Sequence, residues 1–348
     1  MIKTNNYICP SCNKELLSKL GLFICTSCGN SYKTDKNITL FTDNELFYSV
    51  FSKEDAIKVA ELSEQKSWRF AIDNYSNKIG KYTYNYIVDE SRADWLIYLP
   101  TLKNSIVLDI GSGWGNIAIM LAKRCEKYYC CDANVYNLRL LNSRLRDNNI
   151  NNTELFQYDA NDILKLPFND KSVDVVILNG VLEWMGNIEH KLSPRQIQIM
   201  ALKEINRVLK KDGIVFIGIE NRYAMGHLLG ARPHGEIPFI GLLPRFLSNI
   251  ITKLKTGKRH GTYIYSVAGY RKLLHRANFK MQTAFLAFPD YRFPNTIVPL
   301  KPKWMKRFWV KNINTNNSKK IRLAKTFGLK YFPFHWFANS FLIIGNKK

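Results

Sequence analysis

Four cysteines stand at a spacing that suits a metal cage. Cys9-Pro-Ser-Cys12 and Cys25-Thr-Ser-Cys28 each enclose two residues, and twelve residues separate the pairs. Two such knuckles can donate four thiolates to one tetrahedral Zn2+. With protein sulfur at every position, none stays open for substrate, so the expected ion is structural. A segment this small has little core, and metal binding would supply its folding energy. The first residues, MIKTNNYICPSC, hold no apolar leader, so no secretory signal is expected, metal is favoured over disulfides, and a cytoplasmic enzyme is the expectation. Cys125, Cys130 and Cys131 lack this spacing and read as core residues.

A second constellation is VLDIGSGWGNIA at 107–118. Gly111, Gly113 and Gly115 let a backbone turn tightly after a strand and approach a ligand without Cβ clashes. The sixth position of the dinucleotide pattern G-x-G-x-x-G is Asn116, so this is not that fingerprint. Asp109 lies two residues before the first glycine, and Asp132 ends the next apolar run.

The elements that must position these residues alternate. Strands are predicted at 105–110, 128–133, 154–160, 173–180 and 214–220, with helices at 116–125, 137–149 and 194–210. This rhythm predicts an α/β fold of parallel βαβ units. Residues 46–95 read as helices. After Glu220 the rhythm breaks into loops with an amphipathic helix at 241–255. A helix running into a strand follows from 266, and a closing strand is expected at 340–347.

Residues 82–290 resemble the class I S-adenosylmethionine (SAM)-dependent methyltransferases, particularly the type 11 group. That resemblance implies a doubly wound, mostly parallel seven-stranded, Rossmann-like sheet, here with a small N-terminal zinc ribbon and C-terminal insertions. It implies that Asp109, Gly111, Gly113 and Gly115 wrap the methionine part of SAM. Asp132, followed by Ala133, matches the acid that binds the ribose hydroxyls; its two oxygens suit a vicinal diol. Asp159 matches the acid near the adenine amino group, with Ala160 beside it. LNGVLEWM (178–185), which includes Asn179, matches the strand end at the active-site mouth. Many relatives have His after the Glu of that loop, where this chain has Trp184. The cysteine segment resembles zinc ribbons that precede some bacterial methyltransferases, including a ribosomal RNA guanine methyltransferase.

Methyl transfer from a sulfonium needs an in-line nucleophile, often with a base to take its proton. Glu183, Glu220, His227 and His234 are the candidates, with Asn221 and Arg222 near them. Arg222 and Arg232 either bind a substrate phosphate or carboxylate or solvate the surface. The stretch 219–236 resembles a type 11 subgroup found in bacterial cell-surface polysaccharide clusters.

Charge points to an anionic partner. Residues 237–348 hold 22 Lys and Arg and one acid, Asp290, whereas residues 1–236 hold 29 basic and 27 acidic residues. Such asymmetry fits a membrane surface, a phosphorylated glycan or lipid precursor, or RNA, the alternative being a solvated basic face. The aromatic–basic runs 301–311 and 330–337 suit RNA bases or a lipid interface, and 241–255 suits a membrane surface better. A hydrophobic content of 46% excludes global disorder. The apolar stretches at 237–251 and 332–345 are interrupted and fall short of the roughly 18 residues of a spanning helix.

The expected organisation is a ribbon at 1–45, a helical lead-in at 46–95, a SAM-binding domain at 96–290 with a loop-rich insertion at 221–262, and a basic aromatic insertion with a closing strand at 291–348. The expected function is SAM-dependent O-methylation of a sugar or related group on a lipid-linked or polymeric cell-surface precursor. A peripheral place at the inner face of the membrane goes with it. RNA methylation, supported by the ribbon and the charge, and a non-catalytic SAM-binding module are the alternatives.

Overall fold

The computed structural model describes residues 7–44, 47, 49–158, 165–186, 192–230, 237–257, 260, 262–313 and 334–348. The ribbon comes first: β1 (Leu16–Lys19), β2 (Leu22–Cys25), β3 (Ser31–Asp35) and β4 (Ile38–Leu40), each antiparallel to the next. Two helices follow, α1 (Lys53–Gln65) and α2 (Trp68–Val88), which changes direction at Gly80, where φ is +72°. A 3-10 helix at Ser91–Tyr98 leads into the sheet.

Next come β5 (Ile106–Ile110), α3 (Asn116–Ala122), β6 (Lys127–Asp132), α4 (Val135–Asp147), β7 (Thr153–Gln157), β8 (Val173–Asn179), α5 (Pro194–Val208) and β9 (Leu209–Glu220). β5, β6 and β8 are near-continuous apolar runs because helices cover both of their faces. Burial of each Val, Ile or Leu contributes roughly 1.5–3 kcal/mol. α5 starts at a capping box, Ser193 with Gln196, and carries Pro194 in its first turn. The C-terminal part adds α6 (Met225–Leu228), α7 (Arg245–Thr256), α8 (Val267–Arg276), β10 (Phe279–Phe288), β11 (Thr296–Pro299), α9 (Pro302–Ile313) and β12 (Ser340–Lys347).

The sheet order is β1-β2-β3-β4-β7-β6-β5-β8-β9-β12-β10-β11. β4, β7, β6, β5, β8 and β9 run parallel, and β12 is antiparallel to both β9 and β10. The seven strands from β7 to β10 form the expected doubly wound sheet, extended at both ends into twelve strands. Chain order reverses between β5 and β8, the place where open α/β sheets bind ligands at their carboxyl ends.

The ribbon continues this sheet. β4 pairs with β7, and the Ile8 N–H donates to the Pro167 carbonyl at 2.9 Å. Tyr7 packs edge-on against Phe23, Phe41, Tyr129, Phe156 and Phe168. An exposed edge strand is thereby covered. The predicted helix over 194–210 gives way to β9 at Leu209. Lys211-Asp212-Gly213, expected as a helix stop, lies inside the strand, where Asp212 has φ +64° and the register with β8 shifts.

Candidate cofactor and active site

The glycine turn leaves β5 at the switch point and opens α3. Gly111, Gly113 and Gly115 have φ of +70°, +53° and +82°. A Cβ on Gly111 would meet Val181 at 2.4 Å, and one on Gly115 would meet Leu141 at 2.1 Å. A Cβ on Gly113 would enter open space, so this glycine leaves room for a ligand. The turn is tied to the end of β6: the Gly111 and Ser112 N–H groups donate to the Cys131 carbonyl.

Asp132 is half-buried at that strand end. Its Oδ2 accepts the Gly113 N–H and its Oδ1 the Asn134 N–H, both at 2.9 Å. With the Asn137 side chain and the Ala133 N–H, these fix the carboxylate at the strand end. Burial raises its pKa, and the Asn134 and Gly113 N–H groups oppose that rise. Ala133 follows, its carbonyl accepting from Gln157 Nε2 at 2.9 Å. Asp109 lies deeper and accepts the Tyr128 hydroxyl at 3.1 Å. Burial pushes its pKa up to about 7, against the pull of the Tyr128 hydroxyl and the Arg92 charge.

Asn179 ends β8. It is buried, and among the described residues neither its Oδ1 nor its Nδ2 has a hydrogen-bond partner. Unpaired buried amides are costly, so this one marks a position made for a polar ligand. Open space at Gly113, the fixed Asp132 carboxylate and the Asn179 amide together fit a nucleoside carrying an amino-acid tail.

A cover lies over the turn. Asn116 Nδ2 donates to the Ile87 and Asp89 carbonyls at 2.8 and 2.7 Å, fastening the end of α2 above α3. Tyr86 packs edge-on against Trp114 and Phe293, and the Arg92 guanidinium stands 4.2 Å from the Tyr86 ring centre. Sequence reasoning missed this cover.

Glu183 and Glu220 meet two neighbours from the loop after β10. Tyr291 donates its hydroxyl to Glu183 Oε1 at 3.4 Å, and Arg292 forms an ion pair with Glu220. Glu183 and Tyr291 are both buried. Burial, foremost, together with the Glu183 and Glu220 charges, raises the Tyr291 pKa well above normal, against the Arg292 charge, so the phenol stays protonated. Gly180 and Gly218 make room for the ring: a Cβ at Gly180 would lie 2.6 Å from the Tyr291 hydroxyl. Tyr291 and Arg292 were absent from the sequence-derived set. They directly follow Asp290, the one acid among residues 237–348, but no local pattern there announces the contact with Glu183.

The other candidates fall elsewhere. His227 is buried on α6, its Nδ1 3.3 Å from the Arg222 carbonyl oxygen in its own turn. Arg222 donates to the Gly241 and Leu243 carbonyls, and Asn221 Nδ2 to those of Trp336 and Ala338, so both side chains hold backbone. Asp159, Ala160, Arg232 and His234 lie outside the described residues.

The four cysteine sulfurs lie within 4.8 Å of one another. Cys9 and Cys28 are 3.6 Å apart and Cys12 and Cys25 3.4 Å, close to the spacing of about 3.8 Å that Zn–S bonds of about 2.3 Å set in a tetrahedron. The two knuckles repeat one geometry: the Asn13 and Gly29 N–H groups, both at positive φ, donate to the Cys9 and Cys25 carbonyls. Burial raises the Cys9 thiol, but the Tyr32 hydroxyl and the Cys12 and Ser11 N–H groups outweigh it and lower its pKa to about 6. Thiolate is the ligand form.

Residues 108–217 match the methyltransferase domain family of type 11. The ubiquinone biosynthesis O-methyltransferase of Rickettsia akari is 27% identical over 175 residues, 47% of this chain and 64% of that protein. A 23S rRNA (uracil(1939)-C(5))-methyltransferase of Aeromonas salmonicida is 26% identical over 147 residues, 41% of this chain and 33% of that protein. The chain thus spans less than two thirds of either relative. Among solved structures, a SAM-dependent methyltransferase from Methanosarcina mazei is 18% identical, covering 72% of this chain and 95% of that one at a TM-score of 0.43. The strand order, the turn bound to Asp132 and the family match agree: residues 108–217 form a type 11 methyltransferase domain within a class I SAM-dependent methyltransferase fold.

Proposed function

We propose that the protein transfers a methyl group from SAM to an oxygen of a sugar or related group on a lipid-linked or polymeric cell-surface precursor, at the inner face of the membrane. The observation that carries the reaction is the Glu183–Tyr291 pair beside the glycine turn. SAM, when bound, supplies an electrophilic methyl. Asp132 would hold its ribose, Gly111 to Gly115 its methionine part, and Asn179 a polar group of the ligand. The Tyr291 oxygen takes the acceptor's hydroxyl proton as its own proton passes to Glu183. Arg292 fixes the loop by its ion pair with Glu220. The cysteine cluster would hold one structural Zn2+, remote from this proton path.

The membrane setting is supported by exposed Leu229, Phe239, Phe246, Ile250 and Leu254 around α6 and α7, with Lys253 and Lys255 beside them. No described helix is long and apolar enough to cross a membrane. RNA as acceptor is favoured by exposed Trp304 with the Arg307 guanidinium 5.5 Å from its ring, and one relative is named for 23S rRNA.

Labelled-methyl transfer separates the two. Full-length protein should methylate a lipid-linked glycan fraction and not ribosomal or transfer RNA. Tyr291→Phe should lower kcat about 10²-fold with SAM affinity unchanged. Label in RNA alone would overturn the acceptor, and a fully active Tyr291→Phe the proton path.

A further inference from the structure

A cavity of about 310 Å³ is lined by Arg195, Arg222 and Arg245 and, among the described residues, by no carboxylate. We infer that this cavity takes the phosphoryl group of the methyl acceptor, an inference that rests on the acceptor reaching Glu183 as proposed above.

Three observations carry it. First, Arg195 on the opening turn of α5 has a buried Nε without a hydrogen-bond partner, and it forms no ion pair among the described residues. Polar groups buried in native structures are almost always satisfied, so this guanidinium, which meets no anion among the described residues, is placed to receive one. Second, its companions are held in place. Arg222 is fixed by the Gly241 and Leu243 carbonyls at 2.8 and 2.7 Å. Arg245 donates to the Thr262 carbonyl at 2.6 Å, and its guanidinium stands 3.6 Å from the Tyr263 ring centre. Rigid guanidinium forks match the oxygens of a phosphate, and three of them suit a group of about −2 charge better than a single carboxylate.

Third, the wall of the cavity joins the reaction centre. The Tyr263 N–H donates to the Glu183 carbonyl at 2.9 Å, and Gln198 Nε2 bridges the Leu182 and Tyr263 carbonyls at 2.7 and 3.0 Å. A phosphate held there places a hydroxyl of the attached group toward Glu183 and Tyr291. α7 contributes Arg245 and Ser248 to the lining while Phe246, Ile250 and Leu254 stand exposed, so an apolar chain on that phosphate would run along the outer face of the helix.

The test titrates zinc-loaded full-length protein with inorganic pyrophosphate by calorimetry, with SAM titrated into the same preparation. Pyrophosphate should bind. Arg195→Gln should weaken it about tenfold or more, Arg195→Lys should restore part of the loss, and Lys272→Gln, on the exposed face of α8, should change nothing. SAM affinity should stay constant throughout, which also shows that the variants are folded. A second arm compares vesicles of phosphatidylcholine with and without phosphatidic acid. Vesicle binding that falls with Arg195→Gln supports a lipid-borne phosphate, and a fall in pyrophosphate binding alone supports a soluble one. If unaltered protein binds SAM but not pyrophosphate, or Arg195→Gln binds pyrophosphate equally well, the inference is overturned and the methyltransferase reading stands. If it binds no SAM, the reading fails and the inference with it.

Discussion

The two sides of the β8 end are built in opposite ways. On the glycine-turn side, short-range backbone groups do the organising: Gly113 and Asn134 N–H groups fix Asp132, and the Cys131 carbonyl fixes the turn. On the other side, long side chains far apart in sequence converge. Arg195, Arg222, Arg245 and the adjacent pair Tyr291 and Arg292 come from four separate segments. The first side is set by local geometry and suits a ligand of fixed shape. The second takes Arg195 from α5 and its other members from segments after β9. With the acceptor bound as proposed, cofactor binding and acceptor choice are separable.

That separation can be broken or sharpened from several directions. The largest expected effect is on the ribbon, which belongs to neither side. Cys25→Ser should take bound zinc from one ion per chain to none, by elemental analysis, and expose residues 1–45 to proteolysis. SAM and pyrophosphate affinities should persist; loss of both would tie the ribbon to the site.

Next is Asp109, buried under the turn with a pKa near 7. Its folded-state value lies above the usual unfolded value of about 3.9, so the folded state favours the neutral form. Its contribution to stability is greatest below about pH 4 and falls as pH rises to about 7, by on the order of 4 kcal/mol. Asp109→Asn should flatten the dependence of melting temperature on pH between 5 and 8. An unchanged slope would mean that Asp109 is ionised in the fold.

Gly111→Ala strikes the cofactor side alone. Its Cβ would lie 2.4 Å from Val181 at a φ of +70°, costing roughly 1–3 kcal/mol in overpacking and crippling SAM binding. Pyrophosphate binding should survive. If both affinities fall together, the two sides are one site.

What the sequence disclosed follows this division. The glycine turn, Asp132 and both cysteine knuckles were legible because their residues are neighbours along the chain. So were the strands of the doubly wound sheet and the closing strand at 340–347, whose apolar runs declare burial. The pairing of β4 with β7 was not, because it depends on a tertiary edge that no local pattern announces. The Arg195 cavity and Tyr291 were hidden for the same reason. Asn221 shows the opposite case: its type suggested chemistry, but its amide holds the carbonyls of Trp336 and Ala338. Spacing identifies a site built from one turn, and only packing identifies one built from four segments.

The central claim is that Asp132 and the glycine turn bind SAM. Calorimetry of SAM with unaltered protein and with Asp132→Ala tests it most directly. The account predicts one SAM per chain and a loss of roughly 1.5–3 kcal/mol, about tenfold to a hundredfold or more, on removing the carboxylate. Equal SAM affinity in the two proteins would contradict it.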